Sequence, residues 1–456
     1  MGDCETNQAM KNLSRLRHGL PNTLATTLLI ALCGFCSGII LARTLGPAHR
    51  GEFAAVILWP GMLALFGEFG LGFSLAYYSG KDQKSIDGLL TLAWTVGLVW
   101  GGVLTVGGWL ILPFVLEFSQ ATMTALRWAM LSVPLLLITG YQGYILLGAN
   151  HISRFNSIRL FGSLSYLVGV VAVATFGWSG VKNYTIIYLL SQGLTFLLAT
   201  GLVILKFRPS LKWQPELISP VFIYAIKTHV SSIAAQANLR LDQLLMTMLV
   251  SSRQLGLYVV AVAISGMFSP LYNALAVVVL PRVSSACNLK QGGLQAVRHI
   301  HLGIVLGLPL SVLGIGGVPY LLPLVFGKDF SQAIVPAQIL LCAAIFQGMN
   351  IVLGNSLRGL GHPGKTGVAE GVGLVVTIGL LWALLPKLGI FGAAIASLSA
   401  YLVVMLIQTI YVRRAAVLAW RDIWVFRWEE FLPDTGVFQK LRRSLTRHAK
   451  DNYDPQ

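Results

Sequence analysis

Twelve stretches of this chain are apolar over the length needed to cross a bilayer, and they follow one another with few interruptions. They fall at 20–45, 53–78, 88–116, 126–148, 157–178, 184–205, 228–250, 255–281, 302–326, 333–354, 367–386 and 391–412. A hydrocarbon core about 30 Å thick takes about 20 residues of helix. Inside it a backbone satisfies its own polar groups only as a helix or a closed barrel. Runs of this length predict an all-α polytopic membrane protein of about twelve transmembrane helices. A mean hydropathy of +0.72 with 11% charged residues excludes a water-soluble enzyme.

The basic residues set the expected orientation. Lys and Arg number 33 against 17 Asp and Glu, a net charge of +16. With the N-terminus inside, the inner segments collect Lys81, Lys84, Arg154, Arg159, Lys206, Arg208, Lys212, Lys227, Arg282, Lys290, Arg298, Arg358, Lys365 and the tail from Arg413. The other side and the span interiors receive Arg43, Arg50, Arg127, Lys182, Arg240, Arg253, Lys328 and Lys387. This bias predicts a multi-pass membrane protein with both termini cytoplasmic. It accounts for the positive charge without nucleic acid as a partner. The first run follows Lys11, Arg15 and Arg17 and exceeds a signal-peptide core, so it is expected to remain as a span. Cys4, Cys33, Cys36, Cys287 and Cys342 are too scattered for a disulfide framework and are expected to be packed thiols.

The longer inner segments suggest how the chain is organised. A six-helix lobe is expected over 1–206, a cytoplasmic linker with Pro209, Pro215 and Pro220 over 207–227, and a second six-helix lobe over 228–413. The basic tail, 414–456, carries Trp420, Trp424 and Trp428 at four-residue spacing with charges between them, the pattern of a helix lying among lipid headgroups. The halves also resemble each other. The interval from Gly51 to Gly256, 205 positions, brings Phe53 onto Tyr258, Gly61 onto Gly266 and Met62 onto Met267. A shift of 211 brings Arg154 onto Lys365 and Gly162 onto Gly373. Six spans per half keep corresponding helices in one orientation, a parallel repeat that predicts two pseudo-twofold lobes around a central cavity.

The stretch Leu41-Ala-Arg-Thr-Leu-Gly-Pro-Ala-His-Arg-Gly-Glu-Phe53, followed by Phe66-Gly-Glu-Phe-Gly-Leu-Gly72, resembles the opening helix pair of the polysaccharide-biosynthesis (Wzx-type) lipid-linked oligosaccharide flippases. These belong to the multidrug/oligosaccharidyl-lipid/polysaccharide exporter superfamily. Asn238-Leu-Arg-Leu-Asp-Gln-Leu-Leu245, Gly256-Leu-Tyr258 and Leu357-Arg-Gly-Leu-Gly361 extend the similarity in order and spacing to about Arg413. The resemblance implies alternating access by a V-shaped pair of lobes. The implied substrate is a polyprenyl-diphosphate-linked oligosaccharide, moved outward for cell-surface polysaccharide assembly. It implies membrane lipids, the lipid-linked glycan and polysaccharide-assembly proteins as partners, no cofactor, and coupling to protons or sodium.

Several motifs mimic other chemistry. Gly359-Leu-Gly-His-Pro-Gly-Lys-Thr366 satisfies the P-loop pattern but lies between two span-length runs, where a phosphate loop would need a preceding buried strand. A tight turn is expected. Cys33 and Cys36 have redox spacing inside a span. His299 and His301 have no acidic or cysteine neighbour in sequence, so no metal site is expected.

Charges within spans remain the candidate sites, because each costs at least about 2.5–3.5 kcal/mol at mid-bilayer. Arg240 is placed twelve positions into the 228–250 run, about 18 Å deep at 1.5 Å per residue. Either it pairs with a carboxylate, or its guanidinium fork binds a diphosphate. On a continuous helix Asn238 and Asp242 share one face, and Gln236, Arg240 and Gln243 another. Arg240, Arg43, Arg50 and Asn238 are the candidate substrate-binding residues; for Arg43 and Arg50, flanking the first outer turn, snorkelling to the interface is the plainer alternative. Asp242 and Glu68 are the candidate ion-coupling residues, with structural pairing or packing as their alternatives. Glu370 is expected to be a helix N-terminal carboxylate. No catalytic residues are expected. An ion-coupled antiporter for drugs or organic cations of the same superfamily is the competing function. A membrane-embedded glycan polymerase would need a large extracytoplasmic loop that the chain lacks.

Overall fold

In the computed structural model, residues 2–210 and 212–425 are described, and no strand occurs among them. Ten helices there are long and apolar enough to cross a membrane. The first of these, Asn22–Gly67, holds two spans, because Gly46 (φ 68°, ψ 174°) breaks it before Pro47. The second span continues past a further break into Leu71–Lys81. The third to sixth are Gln83–Val115, Gln120–Gly148, Ile152–Thr175 and Val181–Phe207. The seventh is Pro215–Asn238 followed, after a break, by Leu241–Leu249, and is not among the ten. The eighth to twelfth are Ser252–Ser284, Leu289–Phe326, Lys328–Gly359, Pro363–Leu388 and Ile390–Ala415. Counting the first helix as two and adding the seventh gives twelve spans among the described residues.

Local chemistry sets the ends. Ser119, Ser251 and Asn288 accept hydrogen bonds from the N–H groups of Thr122, Gln254 and Gln291, and Pro215 and Pro363 open their helices where no N–H is needed. Gly359 to Thr366 is a turn between the tenth and eleventh helices, with Gly361 at φ 80° and helices on both sides; no strand precedes it. The phosphate-loop mimic is therefore a helix connection.

The spans form two lobes of six, first half and second half. They meet near Gly51 of the second span and Gly256 of the eighth, where a Cβ on either glycine would overlap the backbone of the other helix. Missing side chains let the two backbones approach closely. This end, with the turns near 46, 118, 178, 250, 327 and 389, is called the distal face; the opposite end is the linker face.

The linker face departs from expectation in one respect. The segment drawn as linker over 207–227 is helical from Pro215. Ser210 is fixed by the Asp87 carboxylate (Oγ to Oδ2, 2.6 Å). Beyond it the seventh span lies on the second: Ser74 Oγ donates to the Val221 carbonyl (2.7 Å), Tyr78 to the Pro220 carbonyl (3.3 Å), and Tyr77 stacks on Tyr224 at 4.7 Å. The start of this helix thus holds to the first lobe, and its far end to the second.

The tail is described only to Val425. A short helix, Trp420–Trp424, follows the twelfth span, with Arg413 over the Trp420 ring at 4.6 Å and His301 Nε2 2.8 Å from the Ile423 carbonyl oxygen. Trp428 and the rest of the expected interfacial helix lie outside the described residues.

Candidate functional site

The seventh span breaks at Leu239 and Arg240, where Arg240 has φ −134° and ψ −10°. The continuous helix expected over 228–250 is therefore corrected, and with it the two-face assignment. Arg240 is exposed at the break, and no carboxylate is in ion-pair contact with it among the described residues. Asn238 and Asp242, on either side of the break, turn into the second lobe and are both buried.

There they join two linked polar clusters. Asp242, 4% exposed, accepts at Oδ2 from the Tyr258 hydroxyl (2.6 Å) and the Ser397 hydroxyl (3.3 Å), and at Oδ1 from the Gln243 N–H (2.7 Å). Asn238 donates to Glu370 Oε2 (3.5 Å) and accepts from Thr377 Oγ1 (2.7 Å), while Gln408 Nε2 donates to Glu370 Oε1 (3.4 Å). The seventh, eighth, eleventh and twelfth spans thus bring two carboxylates together with amides and hydroxyls. No cation touches either carboxylate among the described residues. Buried carboxylates need a compensating charge or proton. Among the described residues no three His, Cys, Asp or Glu side chains form a metal-binding group.

The sequence leads one to expect Glu370 to be a helix N-terminal carboxylate. Its helix begins at Pro363, so it stands two turns in and faces this cluster instead. Its role was missed, although Glu370 and Thr377, seven positions apart, share a helical face.

The first lobe holds a contrasting site. Its fourth, fifth and sixth spans, with Ile57 of the second, line an open cavity of about 500 Å³ bordered by Tyr144, Arg159, Tyr166, Tyr188 and Gln192. Arg159, counted among inner-loop charges in the sequence, stands within the fifth span on this cavity wall. Beside Tyr166 lies Arg50, 7% exposed, with Nε and Nη1 buried and without hydrogen-bond partners; the Tyr166 hydroxyl has none either. Burial at this depth does not fit a side chain snorkelling to the interface. Glu68 falls on the second-span break, between Gly67 and the left-handed pair Phe69 (φ 49°) and Gly70 (φ 72°). Its Oε1 is buried without a partner beside a cavity of about 210 Å³ that Tyr141 also lines. Gly140 borders both cavities.

Arg43 is elsewhere. From the distal end of the first span its Nε donates to the Val325 carbonyl (2.7 Å) and its Nη2 to that of Leu324, at the end of the ninth span. The candidate residues are therefore split between both lobes, the seam and the helix break.

Two six-helix lobes with cavities and polar clusters within their spans define a polytopic membrane transporter rather than an enzyme. Residues 19–287 match the family described as polysaccharide biosynthesis protein, and the chain belongs to that family. Over 233 residues it is 28% identical to the probable low-salt glycan biosynthesis flippase Agl15 of Haloferax volcanii, covering 49% of this chain and 48% of that one. The match thus spans about half the length of that relative. It is 21% identical over 412 residues to the uncharacterized membrane protein MJ1068 of Methanocaldococcus jannaschii, covering 84% and 81% of the two chains. In fold it is similar to an inward-facing multidrug resistance MATE family transporter of the MOP superfamily (TM-score 0.73, 15% identity, 85% of this chain and 95% of that one). It is also similar to the lipid II flippase MurJ in an inward closed conformation (TM-score 0.69, 14% identity, 88% of each chain).

Proposed function

We propose that this transporter flips a polyprenyl-diphosphate-linked oligosaccharide from the cytoplasmic to the outer side of the plasma membrane, for assembly of a cell-surface polysaccharide. Family membership and the similarity to a glycan biosynthesis flippase support the substrate class. The observation that carries it is the buried Arg50, whose Nε and Nη1 have no hydrogen-bond partner, beside Tyr166, with Arg159 on the wall of the cavity that Tyr166 also lines. Guanidinium groups suit phosphate oxygens, which they bind as bidentate forks. Arg50, Arg240 and Arg43 are the residues assigned to the diphosphate, and Asn238 helps to order the break beside Arg240. The cluster around Asp242 is assigned to a coupling proton or sodium ion, with Glu68 as a second candidate in the first lobe. The Lys and Arg residues on the linker face support a cytoplasmic orientation of that face and of both termini. The lobe boundaries follow the repeat, with the tail as a separate basic segment.

The test is reconstitution in vesicles with a fluorescently tagged polyprenyl-diphosphate disaccharide, scoring its protection from an impermeant quencher. Native protein should move the lipid and Arg240→Ala should not, with Arg240→Lys between them at unchanged melting temperature. Ethidium transport without lipid movement would favour the antiporter.

A further inference from the structure

The two carbonyls held by Arg43 are of a special kind. Leu324 and Val325 lie in the last turn of the ninth helix, which stops at Phe326 before Gly327 (φ 108°). The last four carbonyls of a helix have no partner within it, and the negative end of its dipole lies there. Gly327 N–H takes the Pro323 carbonyl, and Arg43 takes the next two. This guanidinium belongs to the first lobe and the carbonyls to the second. Phe35, two turns before Arg43, meets Phe326 edge-on at 5.8 Å in the same seam. Arg43 is nevertheless exposed, so an anion can reach it.

Resting on the flippase reading above, we infer that Arg43 latches the distal gate and that the substrate's diphosphate opens it by taking the guanidinium away from the Leu324 and Val325 carbonyls. The bonds to the carbonyls are already charge-assisted through the guanidinium, but a diphosphate adds net negative charge and a bidentate match to the same donors, and so outcompetes two peptide carbonyls for them. The released carbonyls stand at the end of their helix and take up water. An empty transporter then stays latched and a loaded one is released. Alternating access requires a ligand to favour one state in this way.

Spin labels at Ala48 and Asp329, both exposed on the distal face, report the gate by pulsed electron resonance. The protein would lack its native cysteines and sit in phosphatidylcholine vesicles. Arg43→Gln is expected to raise the ratio of open to closed distances about tenfold, the worth of one hydrogen bond to a charged group. Farnesyl diphosphate should open the native protein comparably and leave Arg43→Gln unmoved, and Arg43→Lys should remain largely closed until it is added. Phosphatidylglycerol vesicles, which present single phosphodiesters, should not reproduce the effect, whereas saturating inorganic pyrophosphate should. An unchanged distance distribution in Arg43→Gln, with or without a lower melting temperature, would reduce Arg43 to a helix cap and overturn the latch. An equal response of Arg43→Gln and native protein to farnesyl diphosphate, no response in the native protein, or equal opening by phosphatidylglycerol would overturn the exchange. None of these results bears on whether native protein flips the tagged lipid, so the two readings fail separately.

Discussion

Gly51 packs on the carbonyl of Ser252, and Gly256 packs on the carbonyl of Pro47, so the interval of 205 positions that carries Gly51 onto Gly256 also carries Pro47 onto Ser252. Each half of the contact is the image of the other. That reciprocity is what a twofold axis produces where it passes between two copies of one surface, and it turns the repeat read in the sequence into a physical seam. Gly51→Ala and Gly256→Ala each put a Cβ into backbone that cannot turn aside. Either should destabilise the protein by about 1–3 kcal/mol, read as a lower melting temperature in detergent. The double variant should cost less than the sum of the two, since one widening of the seam relieves both. Native melting in either single variant would show that the helices have room to spare.

Reporter fusions test the orientation. Fusions at Lys212 and Lys290, on the linker face, should report cytoplasm, and fusions at Lys182 and Lys328 the outside. A cytoplasmic signal at Lys182 or Lys328 would reverse the direction assigned to transport.

Lys365 is the residue that a nucleotide-binding loop would require. Here it lies 6.0 Å from the Tyr411 ring, at the start of a helix in a turn between two spans. Lys365→Ala should leave lipid flipping within about twofold of native. Stoichiometric ATP binding that this variant abolishes would contradict the assignment.

Asp242→Asn and Tyr258→Phe separate coupling from packing. The first removes the charge at nearly constant volume, and the second removes the strongest donor to it. If Asp242 carries the coupling ion, flipping by Asp242→Asn should lose its dependence on a proton or sodium gradient at near-native abundance, while Tyr258→Phe keeps the dependence with altered ion affinity. Gradient-driven flipping by Asp242→Asn would remove Asp242 from that role.

His151 provides a pH test outside the spans. Burial first, and then the charges of Lys206 and Arg154, hold its imidazole below the usual range. The unfolded chain then binds more protons at this position than the folded one. Its contribution is intact above the unfolded value of about 6.5 and is lost as the pH falls through that value toward the lower folded one. The melting temperature should drop between about pH 7.5 and 5.5, and His151→Gln should flatten the drop. An equal drop in the variant would place the titration elsewhere.

The spans were legible because hydropathy is a local property, and Gly46-Pro47 marked the first turn plainly. The break at Leu239 and Arg240 was not, since Asn238-Leu-Arg-Leu-Asp242 contains neither proline nor glycine and nothing in it contradicts a helix. The start of the seventh helix is hidden for the opposite reason: Pro215 is a good first residue and the stretch after it is largely apolar, but Pro209, Pro215 and Pro220 together carry the signature of a linker. Asp242 was found from its cost in a span, and Glu370 was passed over because nearby Lys365 and Arg358 offered a local explanation. The role of Arg43 depends on carbonyls about 280 positions away, which no local pattern encodes.

The seventh helix also decides how this polypeptide can be divided. Genes for such repeats are naturally cut between the copies, near residue 211, yet a cut there hands Pro215–Thr228 to the second fragment although its partners Ser74, Tyr77 and Tyr78 are on the first. The first fragment alone would leave that flank of its second span uncovered, exposing the Ser74 hydroxyl without its acceptor. Two co-synthesised halves would therefore find each other through this borrowed helix, whereas the first half expressed by itself would be a substrate for membrane proteolysis.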